Sequence, residues 1–310
     1  MTTVIAGSTG LVGTALTSAF ESAGHEVIEI NRSVVNLLDL KATKAFIKQV
    51  RPNLVVDAAA KVGGIGANNS TPVEFLSDNI RIQSNLMEAA HEAEVQKFVF
   101  LGSSCIYPRD CAQPIKEEFL MTGPLESTNS AYAIAKIAGI ELVNSYRKEF
   151  GARWISLMPT NLYGKRDNFN LDTAHVLPAL IRRFVDAAET ETREVTLWGS
   201  GSPRREFLHV EDLARAILLT SSNYDSTMHL NIGTGKDLTI KELALMIAKL
   251  AGFEGQIIWD TSRPNGTPQK VLDVSKIKAL GWEPTITLDE GIASTISWYK
   301  EASARGEVRK

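Results

Sequence analysis

Two kinds of hydrophobic pattern alternate along the first half of the chain. Short, continuously apolar runs are typical of buried strands, and they occupy residues 3–7, 26–30, 52–58, 97–101 and 153–158. Longer segments have apolar residues at helical spacing, at residues 11–23, 40–50, 72–93 and 131–150. This alternation is typical of a parallel sheet covered by helices on both faces. With right-handed crossovers it predicts an α/β fold with a doubly wound parallel (Rossmann) sheet.

After Pro159 the pattern changes. A polar, glycine-containing segment at 161–170 predicts a loop, and it is followed by a helix at 176–188 and a strand at 195–198. We expect the apolar run at 229–233 to return to the main sheet, and residues 240–251 to form a helix. The pattern beyond Gly255 is mixed. We therefore predict a Rossmann domain from residues 1–164 and 206–235, and a smaller mixed α/β substrate domain from 165–205 and 236–310.

Composition narrows the range of functions. The 310 residues carry a net charge of −3 without a lysine- or arginine-rich run, so we expect no nucleic-acid surface. The longest apolar runs are strand-sized, well short of the ~20 residues that span a bilayer, so no membrane association is expected. Two cysteines are too few for a disulfide framework, and no leader-like segment opens the chain. A cytoplasmic protein without a metal site is the simplest interpretation.

A glycine pattern, G-x-x-G-x-x-G, follows the first strand and opens the first helix. Glycines permit a tight turn and a close approach of the backbone to a pyrophosphate, which the helix N-terminus attracts. The alternative is a tight turn without a ligand, but the strand before and the helix after favour dinucleotide binding. The predicted contacts are Gly7, Ser8, Thr9, Gly10, Leu11, Val12 and Gly13.

The end of the second strand bears on which dinucleotide binds. An NAD site usually has a carboxylate there, whereas this chain has Asn31-Arg32-Ser33. A guanidinium pairs well with a 2′-phosphate, so NADP(H) is favoured. The alternative is that Arg32 is an ordinary solvated charge. Asp39 fits either an adenine contact or a helix cap.

Candidate catalytic groups follow the fourth strand. Tyr132 and Lys136 stand four apart in a predicted helix and so share one face. A neighbouring ammonium lowers the pKa of a phenol from about 10, which predicts a proton donor and acceptor usable near neutral pH. Ser103 lies where open α/β sheets bind ligands, and its hydroxyl can hold a substrate carbonyl. Each residue alone is common, but together they indicate hydride transfer to or from a carbonyl.

Further segments carry a resemblance over nearly the whole chain. They are residues 102–108 (GSSCIYP), 132–136 (YAIAK), 159–164 (PTNLYG), 167–169 (DNF), 175–183 (HVLPALIRR), 198–201 (WGSG) and 204–210 (RREFLHV). On these motifs the chain resembles the extended short-chain dehydrogenase/reductase family, and within it the epimerase–reductases of GDP-sugars. The resemblance implies NADPH-dependent 3,5-epimerisation and 4-reduction of GDP-4-keto-6-deoxy-D-mannose.

The resemblance also implies roles for five residues. Ser103 and Tyr132 would hold and protonate the C4 oxygen, and Lys136 would bind the nicotinamide ribose. Cys105 would remove the protons at C3 and C5, and His175 would return protons on the opposite face. A C4 ketone acidifies both neighbouring carbons, so two groups on opposite faces suit inversion. Taken alone, a cysteine here is more often a small buried hydrophobe and a histidine a cap.

Binding residues are implied in the same way. The cofactor contacts beyond the glycine turn and Arg32 are Leu101, Gly102, Lys136, Pro159, Asn161, Leu162 and His175. The GDP-sugar contacts are Arg183, Trp198, Arg205 and Asn265, with Arg204 as a further candidate for the diphosphate. The family often has lysine at the position of Arg183 and aspartate at that of Asn265; the second difference replaces an ionised acceptor by an amide.

Several alternatives remain at this point. A sugar-nucleotide 4-epimerase or dehydratase would recycle a tightly held NAD, and a related reductoepimerase would act on a further deoxygenated sugar, as in colitose synthesis. A dinucleotide-sensing regulator would bind the cofactor without catalysis. By analogy with the family we expect a homodimer through helices 72–93 and 131–150. The glycine-containing loop at 62–66 is a candidate for closing over bound ligands.

Overall fold

A computed structural model describes residues 1–263 and 265–308 of the chain; Pro264, Arg309 and Lys310, which the predicted substrate domain includes, lie outside the described residues. The strands are β1 (Thr2–Ala6), β2 (Glu26–Ile30), β3 (Leu54–Asp57), β4 (Lys97–Leu101), β5 (Ile155–Pro159), β6 (Asn161–Tyr163), β7 (Glu194–Trp198), β8 (Arg204–Arg205), β9 (Phe207–His209), β10 (Leu230–Ile232), β11 (Leu238–Thr239), β12 (Gln256–Asp260) and β13 (Gln269–Lys270).

The helices are α1 (Leu11–Ser22), α2 (Leu40–Val50), α3 (Ile65–Ser70), α4 (Pro72–Glu92), α5 (Ser130–Phe150), α6 (Val176–Glu189), α7 (Val210–Asn223), α8 (Ile240–Ala251), α9 (Ser275–Ala279) and α10 (Leu288–Ala304). Short 3₁₀ turns cover Ser104–Ile106, Glu117–Phe119 and Ser127–Asn129. The helices and strands predicted before residue 255 are confirmed.

The main sheet has six parallel strands in the order β10-β5-β4-β3-β1-β2. The predicted α/β doubly wound sheet is therefore confirmed, including the return of residues 230–232 to pair with β5. The chain moves outward from β1 in one direction to β2 and in the other to β3. Ligands of such sheets bind at the carboxyl ends of the strands beside this reversal.

Helices cover both faces of the main sheet. Helices α2, α4 and α5 pack side by side on one face, and α1 packs with α7 on the other. Helices α7 and α10 were not predicted from the sequence. Helix α7 buries an apolar side that includes Leu213, Ala216 and Ile217, which completes the cover of the sheet.

The buried apolar residues form two clusters. One surrounds the main sheet, and the other lies among α6, α8 and α10 with the small strands β7 and β9. The predicted boundary at residue 236 assigns all later residues to the smaller domain, whereas Leu272, Val274, Ile277 and Trp282 lie in the first cluster. The chain therefore returns to the Rossmann core once more through the segment that includes α9.

Smaller sheets complete the second region. Strands β7 and β12 pair in parallel, and β8 lies between β11 and β13. Helices α8 and α10 each begin with a capping box, Thr239 with Glu242 and Thr287 with Glu290. Among the described residues, no helix combines the length and apolar character needed to cross a membrane.

Candidate active site

The glycine turn has a conformation that side chains would prevent. Gly7 has φ +82°, and a Cβ there would lie 2.7 Å from the carbonyl oxygen of Ala58. A Cβ on Gly13 would lie 2.1 Å from the carbonyl oxygen of Gly7, so the first helical turn packs directly on the loop. Gly10 is the N-cap of α1 and has no side chain to satisfy the free N–H groups there. The turn thus presents backbone donors at a helix N-terminus, which fits a pyrophosphate.

Other groups near this turn also fit a dinucleotide. The Ser8 hydroxyl is buried and has no hydrogen-bond partner in the part of the chain that the structure describes, so it is available to a ligand that fills the turn. Arg32 is exposed in the loop after β2, the position from which a 2′-phosphate is held. Asp39 accepts a hydrogen bond of 3.0 Å from the Ala42 N–H, so it is a helix cap.

Ser103 and Cys105 lie on a 3₁₀ turn that begins where β4 ends. The Cys105 N–H donates to the Ser103 hydroxyl at 3.3 Å, which fixes the two side chains relative to each other. Gly102 precedes them because a Cβ there would lie 2.4 Å from the Met158 side chain on β5. Both side chains are partly exposed at the carboxyl edge of the sheet. This is the edge at which the glycine turn lies.

Helix α5 brings Tyr132 and Lys136 to the same edge. The Lys136 ammonium is buried, donates to the Leu101 carbonyl oxygen at 2.8 Å and lies 4.8 Å from the Phe100 ring centroid and 5.9 Å from that of Tyr132. Helix α5 approaches the sheet closely here, since a Cβ on Gly139 would lie 2.3 Å from the Phe100 ring. The predicted shared face of these two side chains is present.

The electrostatics of this pair differ from the expectation. Burial raises the pKa of Tyr132, and the neighbouring Cys105 and Asp57 raise that pKa further. Burial lowers the pKa of Lys136 to about 8, against the opposing effect of Asp57. The attraction between ammonium and phenolate predicts a lowered pKa for the phenol, whereas the cost of desolvation, which residue spacing does not show, raises it. In the folded chain Tyr132 therefore holds its proton firmly, as a proton donor should.

His175 lies at the N-cap of α6, on a segment held by the glycine loop at 62–66. The Gly64 N–H donates to the Thr173 carbonyl oxygen at 2.9 Å. A Cβ on Gly64 would lie 2.5 Å from the carbonyl oxygen of Ala174. His175 has exposed surface, but its ring lies among protein atoms. The resulting desolvation lowers its pKa. The loop predicted to close over ligands is thus hydrogen-bonded to the segment that carries His175.

The same loop connects this segment to the phenol. The ring of Phe75 lies edge-on to that of Tyr132, with 6.3 Å between centroids, and a Cβ on Gly63 would lie 3.2 Å from the Phe75 ring. The contacts run from Tyr132 through Phe75 to the glycine loop and the residues before His175.

The arginines predicted to bind substrate differ in their surroundings. Arg205 lies close enough to Cys105 and Glu126 for both to raise its pKa, although burial lowers that pKa overall. Arg204 is paired with Asp237, with Nη2–Oδ1 at 2.7 Å, so it joins the segments before β9 and β11. Arg183 stands on α6, about two turns beyond His175.

Arg205 is positioned through its neighbour Glu206. The fully buried Glu206 carboxylate accepts hydrogen bonds from the N–H groups of Gly235 at 2.7 Å and Leu272 at 2.9 Å. The Glu206 carbonyl oxygen accepts one from the Asn161 side chain at 2.8 Å. These bonds join the ends of β5 and β10 to the segment that carries Arg205. Asn161, predicted as a cofactor contact, thus also has a structural role.

Trp198 and Asn265 lie on the side of the second hydrophobic cluster. The Trp198 ring is 67% exposed, with the Arg263 guanidinium 5.1 Å from its centroid. The Asn265 side-chain oxygen accepts from the Ser200 N–H at 2.8 Å.

Several of the predicted residues lie at the carboxyl edge of the main sheet. The carboxyl ends of β4 and β5 carry Leu101, Gly102, Pro159 and Leu162 beside the glycine turn. Ser103, Cys105, Tyr132, Lys136 and Arg205 are joined by the contacts and electrostatic interactions described above.

Comparison with known proteins agrees with this geometry. The sequence profile of the NAD dependent epimerase/dehydratase family matches residues 3–233. The chain belongs to this family. The chain is 48% identical over 299 residues to a probable GDP-L-fucose synthase 1 of Oryza sativa, covering 96% of this chain and 91% of the relative. It is 47% identical over 311 residues to the GDP-L-fucose synthase of Escherichia coli, covering 97% of both chains.

A solved structure is also similar. The GDP-L-fucose synthetase from Naegleria fowleri, bound to NADP, superposes with a TM-score of 0.92 and 29% identity, covering all of this chain and 96% of the other. The family of epimerases and dehydratases is therefore established by sequence, and the fold by structure.

The sequence analysis overlooked two residues that the structure places within this epimerase-family site. The Asn129 side-chain amide donates to the Cys105 sulfur at 3.4 Å. Asp57 is fully buried at the end of β3 and interacts with Lys136. Asn129 stands two residues before the helix predicted at 131–150, and Asp57 is a carboxylate within an apolar run. These two sequence features could have identified Asn129 and Asp57 as site residues.

The glycine turn generates a test of its packing. Gly13→Ala places a Cβ against backbone that cannot yield, so we expect the free energy of unfolding to fall by about 3 kcal/mol, the upper range for overpacking. Gly10→Ala is the matched control, since its Cβ would lie 3.3 Å from the Gly7 carbonyl oxygen. Urea denaturation measures both variants. Equal losses in the two would contradict the packing described here.

Proposed function

We propose that the protein catalyses the NADPH-dependent 3,5-epimerisation and 4-reduction of GDP-4-keto-6-deoxy-D-mannose to GDP-L-fucose. The observation that carries the proposal is that Ser103, Cys105, Tyr132 and Lys136 lie at the edge of the sheet where the glycine turn lies. A proton-abstracting group and a proton-donating pair would thereby act at one edge of the sheet. Similarity to GDP-L-fucose synthases over nearly the full chain supports the choice of substrate.

In the reduction, NADPH supplies a hydride to C4. Ser103 and Tyr132 hold the C4 oxygen, and Tyr132 donates a proton to it as negative charge develops. The raised pKa of Tyr132 keeps that proton in place until the alkoxide forms. With a pKa of about 8, Lys136 is mostly cationic at neutral pH and can donate hydrogen bonds to the ribose hydroxyls. Arg32 would hold the 2′-phosphate.

In the epimerisation, Cys105 removes the protons at C3 and C5, and His175 returns protons from the other face. The Asn129 amide donates a hydrogen bond to the Cys105 sulfur, and the Arg205 guanidinium interacts electrostatically with Cys105. Desolvation lowers the pKa of His175, so its protonated form gives up a proton readily. The ketone at C4 stabilises the intermediate carbanions as enolates. Arg183, Trp198, Arg205 and Asn265 would hold the GDP-sugar.

The decisive experiment supplies purified protein with NADPH and GDP-4-keto-6-deoxy-D-mannose. We expect one NADPH to be oxidised per GDP-L-fucose formed, with the product identified by NMR. Epimerisation or dehydration without net NADPH oxidation would instead establish an enzyme that recycles its cofactor. Reaction only with a further deoxygenated keto sugar would move the substrate to the colitose type. Cofactor binding without turnover of any keto sugar would support the alternative of a dinucleotide-sensing regulator.

The two half-reactions are separable by mutation. Tyr132→Phe should reduce NADPH oxidation by about 100-fold or more, because the proton donor is lost, while exchange of the C3 and C5 hydrogens persists. Cys105→Ser should suppress that exchange. Deuterium uptake from solvent, followed by mass spectrometry of the sugar nucleotide, measures both. Loss of exchange in Tyr132→Phe, or undiminished exchange in Cys105→Ser, would contradict the assigned roles.

We further propose a homodimer formed through α4 and α5. These helices pack side by side on one face of the sheet, and each exposes an apolar side chain near its start. Val73 is 75% exposed and Ile134 is 48% exposed, on helices that follow consecutive parallel strands. Pairing this surface with a second copy would remove both from water.

The dimer is tested by changing one of these side chains. Ile134→Glu would place a charge in the proposed interface, so we expect a monomer at low micromolar concentration by light scattering. Leu245→Glu is the control, because Leu245 is 54% exposed on α8 and lies outside this surface. A wild-type monomer, or a dimer insensitive to Ile134→Glu, would refute the proposed interface.

A cytoplasmic location is the last part of the proposal. Cys105 and Cys111 are both free, and a reducing compartment would keep the Cys105 thiol available for proton transfer.

A further inference from the structure

Asp57 is a buried carboxylate that the proposed reaction does not use. It ends β3 with no exposed surface, and one of its oxygens accepts the Ala59 N–H at 3.1 Å. The other oxygen, Oδ2, is buried and has no hydrogen-bond partner among the described residues. Burying a carboxylate costs several kcal/mol unless a nearby charge compensates. A carboxylate buried at this cost in free energy needs a nearby cation that compensates its charge.

The sheet register places that cation. Asp57 pairs with Phe100 on the neighbouring parallel strand, and paired residues of adjacent strands point to the same face. The Phe100 ring lies beneath α5, with the Lys136 ammonium 4.8 Å from its centroid. Asp57 therefore faces the helix that carries Lys136. The Lys136 ammonium in turn is tethered to Leu101, the residue after Phe100, at 2.8 Å.

We propose that Asp57 is a positioning residue, the buried counter-ion that keeps Lys136 charged at the site where it would bind the nicotinamide ribose. The proposal rests on the proposed function only in assigning Lys136 to that ribose. It concerns a carboxylate at the end of β3 that acts through Lys136 and touches neither substrate nor cofactor.

The two charges support each other within a limited pH range. Burial raises the pKa of Asp57 to about 6, while Lys136 opposes this rise. Burial lowers the pKa of Lys136 to about 8, while Asp57 opposes this fall. Between about pH 6 and pH 8 both groups are therefore ionised. Above pH 8 Lys136 loses its proton, and without Asp57 that loss would begin at lower pH.

Other titratable groups do not provide the same support. Asp57 is the one charged group that acts on the pKa of Lys136 among the described residues. Tyr132 also faces Asp57, and its raised pKa keeps it neutral throughout this range. A shift in the titration of Lys136 therefore reports on Asp57.

The test measures NADPH binding by fluorescence between pH 5.5 and 9 in wild type and in Asp57→Asn. We expect wild-type affinity to decline above about pH 8, as Lys136 loses its proton. In Asp57→Asn the decline should begin about one pH unit lower, which makes binding about fivefold weaker at pH 8 and leaves it unchanged at pH 5.5–6. Asp289→Asn is the control, because Asp289 is an exposed carboxylate on α10. That variant should reproduce the wild-type curve.

Two further variants make the outcome decisive. Lys136→Met should abolish the decline of NADPH affinity at alkaline pH. Asp57→Glu keeps the carboxylate charge, so its affinity should decline near pH 8, as in the wild type. If Asp57→Asn does not fold, Asp57→Ser replaces it with the same expectation. Superposition of the mutant and wild-type curves, or an equal loss of affinity at every pH, would overturn the proposal. Because no sugar is present, failure of the proposed reaction would leave these binding results interpretable.

Discussion

One buried contact anchors the site, the hydrogen bond from the Lys136 ammonium to the carbonyl oxygen of Leu101. It fastens α5 to the end of β4, the strand from which the turn of Ser103 and Cys105 departs. Since Tyr132 lies one helical turn before Lys136, the same contact sets the distance between the phenol and that turn. Gly139 permits this approach, because any side chain there would meet the Phe100 ring. Burying the Lys136 ammonium costs free energy, but the hydrogen bond it makes fixes the relative positions of the groups that β4 and α5 contribute to the site.

A second constraint unites the two regions of the molecule. The buried Glu206 carboxylate and backbone join Asn161, Gly235 and Leu272, which come from three distant parts of the chain. Arg205 is fixed beside Cys105 as a result. The glycine loop at 62–66 holds the residues before His175. The proposed proton transfers at C3 and C5 therefore depend on Cys105, beside the main sheet, and on His175, at the start of α6.

Much of the fold and part of the site were predictable. The alternation of apolar strands and amphipathic helices specified the parallel sheet, because strand and helix periods differ and both were regular. The glycine turn was predictable since Gly7 and Gly13 satisfy local backbone geometry. Helix α7 and the return of Leu272 and Trp282 to the first core were not predicted. A hydrophobic pattern can indicate an amphipathic segment, but it does not identify the element that packs against it. Asp57 and Asn129 were overlooked for the same reason: their partners are distant in sequence.

The sequence by itself determined the sheet, the turn, the shared helical face of Tyr132 and Lys136, and the chemical types available for catalysis. These follow from local spacing and residue chemistry. Only the tertiary structure decided how strongly each group holds its proton. Burial raises the pKa of Tyr132 and lowers that of Lys136, opposite to what the spacing alone predicts for the phenol. Desolvation depends on how completely other elements enclose a side chain, and no local pattern records that enclosure.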